Sequence, residues 1–330
     1  MKTRALGKTG VQVSEVGIGT WQLGGVDWGD VSESDALAIL KRSVELGVNF
    51  IDTADVYGSG RSETIIGKFL KQVSSPIYVA TKLGRRSDPG WPGNFTLETM
   101  RKHTQDSLRR LGVDCIFLQQ LHCIPTEEYR KGEVFENLRT LKKEGLIQHW
   151  GVSVESVEEG LICMQHPDCA TLQVIFNIFR QKLVDELFPQ AKAKGAGILA
   201  RVPLASGLLA GKFHKGYQFA PSDHRSYNRD GDKFNVGETF AGVPFEKGVE
   251  LAEKIRVILE PAGPAPMAQK ALRWVLDHDA VSTVIPGATK ISQAESNAAA
   301  SNLHPLSGDI HRRLRELYRK EIAAAIRGKY

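Results

Sequence analysis

The sequence has no apolar run approaching the roughly 18 residues of a membrane-spanning helix. It has little cysteine: Cys115, Cys123, Cys163 and Cys169 are the only four in 330 residues, and no two form a C-x-x-C pair. Cys115 and Cys123 flank an apolar segment, which reads as reduced thiols in or near a core. Neither a disulfide framework nor a zinc site is expected, and no metal is assigned. The opening Met1-Lys2-Thr3-Arg4-Ala5-Leu6-Gly7 lacks the apolar core of a signal peptide. Together these absences point to a reducing, cytoplasmic compartment. Charge of one sign is also lacking. The 43 basic residues against 38 acidic ones give a net +5, and no clustered basic stripe or module suits nucleic acid. The one short basic run, Gly84-Arg85-Arg86, follows an expected strand and reads as a solvated loop.

What is present is ordinary globular composition, 42% hydrophobic and 25% charged. Residues 2–6 and 11–13 alternate around Gly7-Lys8-Thr9-Gly10 and predict a β-hairpin. Strand signals follow at 16–20, 48–52, 77–82, 115–121, 147–153, 172–176, 197–201 and 282–285. Helical periodicity occupies 34–46, 62–70, 96–111, 126–144, 156–164, 185–194, 245–259, 267–278 and 292–300, with a last amphipathic helix over 307–325. Gly47, Gly112, Gly145 and Gly195 stand where helices must stop, and Thr96 where one must start. Between 206 and 244, about 39 residues lack periodicity, which marks a functional loop.

Strands alternating with helices imply parallel βαβ units, and eight such pairs close a barrel. The expected fold is therefore α/β: a (β/α)8 TIM barrel with an N-terminal β-hairpin and a long loop after the seventh strand, in one domain over 1–330. An open doubly wound sheet would announce its nucleotide site by a glycine fingerprint. The first strand gives Gly17-Ile18-Gly19-Thr20-Trp21-Gln22, without the third glycine. Gly207-Leu208-Leu209-Ala210-Gly211-Lys212 is one residue short of a phosphate loop, and Phe213 replaces its Ser or Thr.

In such a barrel the chemistry sits at the C-terminal ends of the strands. Asp52 ends the second, with Tyr57 five residues on; Lys82 ends the third and His122 the fourth. A tyrosine acts as a general acid when a nearby ammonium stabilises its phenolate, and Lys82 supplies one. Asp52 holds that lysine charged, and His122 hydrogen-bonds and orients a carbonyl oxygen. Taken singly, each has a plainer reading: a cap, a packing ring, a surface lysine, a core histidine. Their positions along consecutive strands favour acid catalysis on a carbonyl, which suits hydride transfer.

The segment Asn49-Phe50-Ile51-Asp52-Thr53-Ala54-Asp55-Val56-Tyr57-Gly58 resembles the signature of the aldo-keto reductase family. So do Ala80-Thr81-Lys82, Leu118-Gln119-Gln120-Leu121-His122, Gly151-Val152-Ser153 and Ile285-Pro286-Gly287-Ala288. The resemblance runs from the hairpin to about Asn302, on the bacterial-type branch related to potassium-channel β-subunits. It implies reduction of aldehydes or ketones with NADPH, which leaves as NADP+, and Tyr57 as general acid. It also implies cofactor contacts from Gly19, Thr20, Trp21 and Asp52, with Ser153 and Gln173 on the carboxamide. Pro203, Leu204, Ser206, Gly207 and Leu208, with Lys212 nearby, are implied at the pyrophosphate. Gly287, Thr289, Lys290, Gln293 and Asn297 are implied at the adenosine and its 2′-phosphate. Lys290 argues for NADP over NAD, because a 2′-phosphate favours a cation.

Two positions depart from the family pattern. Val154 stands where many relatives have Asn, and Arg201 where many stack an aromatic ring on the nicotinamide. An arginine there is expected to favour reduced over oxidised cofactor. Trp21, Trp28, Tyr57, Trp91 and Phe95 are expected to gather over the mouth, with Trp21, Tyr57, Trp91 and His122 contacting a small carbonyl substrate. Three rival readings stand beside this one: an aldolase with Lys82 as Schiff-base lysine, a cofactor-sensing binding protein, and an NAD(P)-dependent sugar or polyol dehydrogenase.

Overall fold

The structure is a computed structural model that describes residues 1–25, 28–29 and 31–330. The hairpin forms as expected, β1 (Thr3–Ala5) pairing antiparallel with β2 (Gln12–Ser14). Eight parallel strands follow in chain order: β3 (Ile18–Gly19), β4 (Phe50–Asp52), β5 (Tyr78–Leu83), β6 (Ile116–His122), β7 (Ile147–Ser153), β8 (Thr171–Ile175), β9 (Gly197–Arg201) and β10 (Val281–Val284). The last strand meets the first. Gly17 N donates to Val284 O at 2.8 Å, Val284 N to Glu15 O at 2.9 Å and Gly19 N to Pro286 O at 3.1 Å. These bonds bring the two sheet edges together, and the sheet is a (β/α)8 barrel.

Around it lie α1 (Glu33–Glu45), α2 (Arg61–Leu70), α3 (Leu97–Leu111), α4 (Thr126–Lys131), α5 (Glu133–Lys143), α6 (Val157–Cys163) and α7 (Leu183–Ala193). Then come α8 (His224–Tyr227), α9 (Phe245–Leu259), α10 (Met267–Leu276), α11 (Ile291–Ala299) and α12 (Gly308–Leu317). The ends obey local chemistry. Thr96 accepts from Thr99 N to start α3, and Gly112 at φ 67° stops it. Helix boundaries fall near those expected, with two exceptions. The stretch 126–144 is two helices, because Gly132 turns left-handed at φ 81° between them. The apolar spacing continues across that break, so periodicity alone hides it. The final helix ends at Leu317 and passes into a π turn (Tyr318–Ile322) and a 3-10 turn (Ala323–Ala325).

The main core lies between sheet and helices, with Trp150, Trp274, Phe176 and Phe135 among its largest fully buried side chains. Inside the barrel, Phe50, Ala80, Leu118, Leu199 and Ile285 pack with Leu6 and Val13 of the hairpin. The hairpin therefore plugs the N-terminal end, and each of its two inserted side chains contributes about 1.5–3 kcal/mol of burial. Among the described residues no helix is long and apolar enough to cross a membrane.

The long loop is ordered by side chains rather than by periodic backbone. Asn228 Oδ1 accepts from Lys233 N at 2.9 Å and Phe234 N at 3.0 Å. Phe213, Phe219, Phe240 and Phe245 form an aromatic cluster with ring centroids 4.9–5.9 Å apart.

Candidate active site

The residues expected to handle protons converge at the C-terminal ends of β4, β5 and β6. Lys82, fully buried, donates from Nζ to Asp52 Oδ2 at 2.6 Å, to Thr53 O at 2.8 Å and to Tyr57 Oη at 3.3 Å. Asp52 Oδ1 accepts from Gln173 Nε2 at 2.7 Å and Gln120 Nε2 at 3.2 Å. The carboxylate is thus held from both oxygens, and the ammonium is aimed at the phenol. Burial disfavours the lysine's charge, but Asp52 and Tyr57 outweigh that and raise its pKa.

Burial also raises the Tyr57 pKa, against the opposing charge of Lys82. The phenol is therefore protonated at neutral pH. The sequence predicts the stabilising effect of Lys82; the deep site adds a larger opposing one. The His122 ring stands edge-on to Tyr57 with centroids 5.8 Å apart. Burial, then the positive charges of Arg85, Lys82 and Arg201, hold its pKa well below the ordinary histidine range. Its Nδ1 is buried without a hydrogen-bond partner.

These residues open on a cavity of about 730 Å3, within the usual range for small-molecule sites. Its walls include Gly19, Thr20, Trp21, Asp52, Tyr57 and His122 at one end. Gln173, Arg201, Pro203, Leu204, Ser206, Gly207 and Lys212 continue it, and Gly287, Thr289, Gln293 and Asn297 complete it. The turn after β9 is left-handed at Ala205, Ser206 and Gly207 (φ 48°, 54° and 99°). It stands with the Lys212 cation and the first turn of α11 on the same wall. A strained turn, a cation and a helix N-terminus suit a ligand carrying phosphates, so the residues present fit a dinucleotide.

Several expected contacts lie elsewhere. Ser153 is buried, its hydroxyl 3.4 Å from Cys123 Sγ, and is not on the cavity wall. Leu208 points into the core. Lys290 is exposed at the start of α11 and does not line the cavity. Gln293 Oε1 accepts from Thr289 N at 2.7 Å and Lys290 N at 3.2 Å, so it shapes that turn.

The aromatic expectation is half met. Trp21 stacks with Tyr57 at 6.1 Å and meets Trp28 edge-on at 5.6 Å. Trp91 and Phe95 are not on the wall. Trp91 is 51% exposed and donates from Nε1 to Gly84 O at 2.6 Å, so it anchors its loop. The long loop supplies Phe234, Arg225 and Glu238 to the wall in its place.

Arg201 is on the wall as expected, but it is paired. Its NH1 pairs with Glu238, and its NH2 donates to Val154 O at 3.1 Å. The Glu238 carboxylate offsets part of the guanidinium charge, which weakens the electrostatic basis of the expected bias toward reduced cofactor. Sequence reasoning missed Glu238 because it lies 37 residues away in an aperiodic loop. Arg85, Gln22, Val56 and Ser296 were also missed on the wall.

Comparison with known proteins agrees with this geometry. Residues 15–319 match the Aldo/keto reductase family. The chain is 31% identical over 332 residues to an uncharacterized oxidoreductase, YqkF, of Bacillus subtilis, covering 99% of this chain and 100% of that protein. It is 31% identical to a probable voltage-gated potassium channel subunit beta of Arabidopsis thaliana, covering 93% of each. Among solved structures it is similar to the holo form of aldo-keto reductase AKR11C1 from Bacillus halodurans, with a TM-score of 0.76, 28% identity and 96% coverage of both chains. A barrel whose Asp, Tyr, Lys and His meet at one mouth, and a family match over nearly the whole length, lead to one conclusion: the chain belongs to the Aldo/keto reductase family of oxidoreductases.

Proposed function

We propose that the protein, as one domain over 1–330, reduces aldehydes or ketones to alcohols with NADPH, using Tyr57 as general acid. The observation that carries this is Lys82 Nζ, placed 2.6 Å from Asp52 Oδ2 and 3.3 Å from Tyr57 Oη in a fully buried position. When bound, the reduced nicotinamide supplies a hydride. The protein's own residues manage the proton. Tyr57, kept protonated by burial, gives its Oη proton to the carbonyl oxygen as charge develops there. Lys82 stabilises the phenolate left behind, and Asp52 keeps Lys82 charged and in place. Neutral His122 hydrogen-bonds the carbonyl oxygen and orients it toward Tyr57.

Gln173 has its amide nitrogen on Asp52, so its Oε1 is the atom left to meet the carboxamide. The turn after β9, left-handed at 205–207, and Lys212 would hold the pyrophosphate, and the start of α11 the adenosine. Lys290, exposed at that rim, supports NADPH over NADH. The four free cysteines accord with a reducing, cytoplasmic setting.

The test is Tyr57→Phe, assayed with NADPH and a panel of aldehydes and ketones. Turnover is expected to fall by about 10²–10⁴-fold, while NADPH binding, followed by fluorescence, persists. A variant that keeps most of its turnover would remove Tyr57 from the mechanism. Lys290→Ala is expected to lower the preference for NADPH over NADH.

A further inference from the structure

The two consecutive arginines after β5 face opposite ways. Arg86 turns outward, where its Nε donates to Asp55 Oδ2 at 2.8 Å and its NH1 to Asp106 Oδ2 at 2.7 Å. Arg85 turns inward and lines the cavity that holds Tyr57 and His122. Among the described residues it has neither a hydrogen bond nor an ion pair. The basic run read from the sequence as a solvated loop is thus one structural arginine and one that faces the site.

The backbone under Arg85 is fixed. Gly84 sits at φ 110°, and a Cβ there would approach Ile124 Cγ2 to 2.9 Å. Its carbonyl accepts from Trp91 Nε1 at 2.6 Å and from Asn94 Nδ2 at 3.2 Å, and Asn94 Nδ2 also donates to Arg86 O at 2.7 Å. Trp91, expected against the substrate, is instead a positioning residue for the segment that presents Arg85.

The other cations around Arg85 are already matched. Lys82 is paired with Asp52 and Arg201 with Glu238. His122 is kept neutral by burial and by Arg85 itself. Glu155, whose pKa burial pushes up, feels the charge of Arg85 but lies too far to form an ion pair with it. Arg85 is half-buried on the cavity wall, and a carboxylate offers its guanidinium two oxygens in matching geometry. One positive charge without an ion pair among the described residues suits one carboxylate rather than a phosphate dianion.

We infer that Arg85 anchors a carboxylate on the substrate, so that the preferred substrates are aldehydes or ketones that also carry a carboxylate. This rests on the reading of Tyr57 as the acid. The carbonyl oxygen sits at Tyr57 and His122, and Arg85 holds the acid group at the other end of the molecule, setting specificity without taking part in proton transfer.

The test compares NADPH-dependent reduction of the 2-, 3- and 4-carboxybenzaldehydes with that of their methyl esters, in wild type, Arg85→Gln and Arg85→Lys. For at least one isomer, wild-type kcat/KM should favour the acid by about tenfold or more, mostly through KM. Arg85→Gln should bring the acid-to-ester ratio to near one, and Arg85→Lys should restore part of it. A ratio that is the same in wild type and Arg85→Gln overturns the inference. So does a loss that falls equally on acid and ester, or one explained by weaker NADPH binding.

If wild type reduces none of these compounds, the Tyr57 reading fails for them, and binding alone decides on Arg85. Benzoate and benzamide are then titrated against tryptophan emission in the presence of NADP+. Tighter benzoate binding that Arg85→Gln abolishes supports the anchor; equal binding of the two removes it.

Discussion

The two ends of the barrel both bury charge, yet they treat it differently. At the hairpin end, Glu15 accepts from Arg4 Nε at 2.9 Å, Ser301 Oγ at 2.9 Å and Arg273 NH1 at 3.5 Å. Arg273 also reaches Asp277 at 2.9 Å, and Arg4 caps the carbonyls of Leu276 at 2.6 Å and Val281 at 2.9 Å. None of the charged atoms of these four residues is buried without a partner. At the mouth, His122 Nδ1 and Arg201 Nε are orphaned, and Arg85 has no partner among the described residues. The backbone divides in the same way. Among the described residues, Ser59, Cys123, Val202, Ala205, Ser206, Phe240 and Ala241 are the non-glycine residues at positive φ, and all follow strands at the mouth or lie in the long loop. Such conformations cost about 1–3 kcal/mol each. The charged groups of the closed end satisfy one another, whereas at the open end Arg201 Nε and His122 Nδ1 stay without partners.

Breaking the closed end should have the largest effect. Glu15→Ala leaves Arg273 buried with less compensation, and a loss of about 3–5 kcal/mol in unfolding free energy is expected. Turnover per folded molecule should change little. Denaturant titration and kcat measured together check this; a stable variant with impaired turnover would erase the division between the two ends.

At the mouth, Glu238→Gln should act on the ligand instead. It frees the charge of Arg201, and the affinity ratio of NADPH to NADP+ should rise by about tenfold, or ~1.4 kcal/mol. Equal titrations of both forms in wild type and variant would show that Arg201 does not sense the nicotinamide.

The third effect is a pH slope at the closed end. Burial pushes the His278 pKa down to about 4, against about 6.5 in an unfolded chain. The unfolded state therefore binds the proton more tightly. The contribution to stability is complete above about 6.5 and is lost as pH falls toward 4. His278→Gln should lose less Tm than wild type between pH 7 and 4.5. Parallel Tm curves would assign acid sensitivity to other groups, His103 among them, whose pKa burial also lowers to about 4.

Much of the mouth was legible in the sequence because strand ends are legible. Asp52, Lys82 and His122 close apolar segments, and their meeting point follows from barrel geometry. What escaped is contact across loops. Glu238 reaches Arg201 from an aperiodic stretch, and no spacing rule connects them. Strand alternation gives no guide to Arg85, because the left-handed Gly84 re-aims the chain just before it. Trp91 was read by its chemistry as a pocket ring, but a hydrogen bond to one carbonyl fixes it in its loop. The Gly132 break was missed because packing spacing survives it.

The seam of the barrel has a consequence for synthesis. On the side away from β4, residues 15–19 find their sheet partners at 284–287, so most of the chain must leave the ribosome before the sheet can close. Until then β3 and β9 are open edges, the kind of surface on which strands of other chains pair. Nascent or prematurely ended copies that stop before β10 should therefore be the species that aggregate and that chaperones hold, while the finished chain hides both edges in a single final pairing.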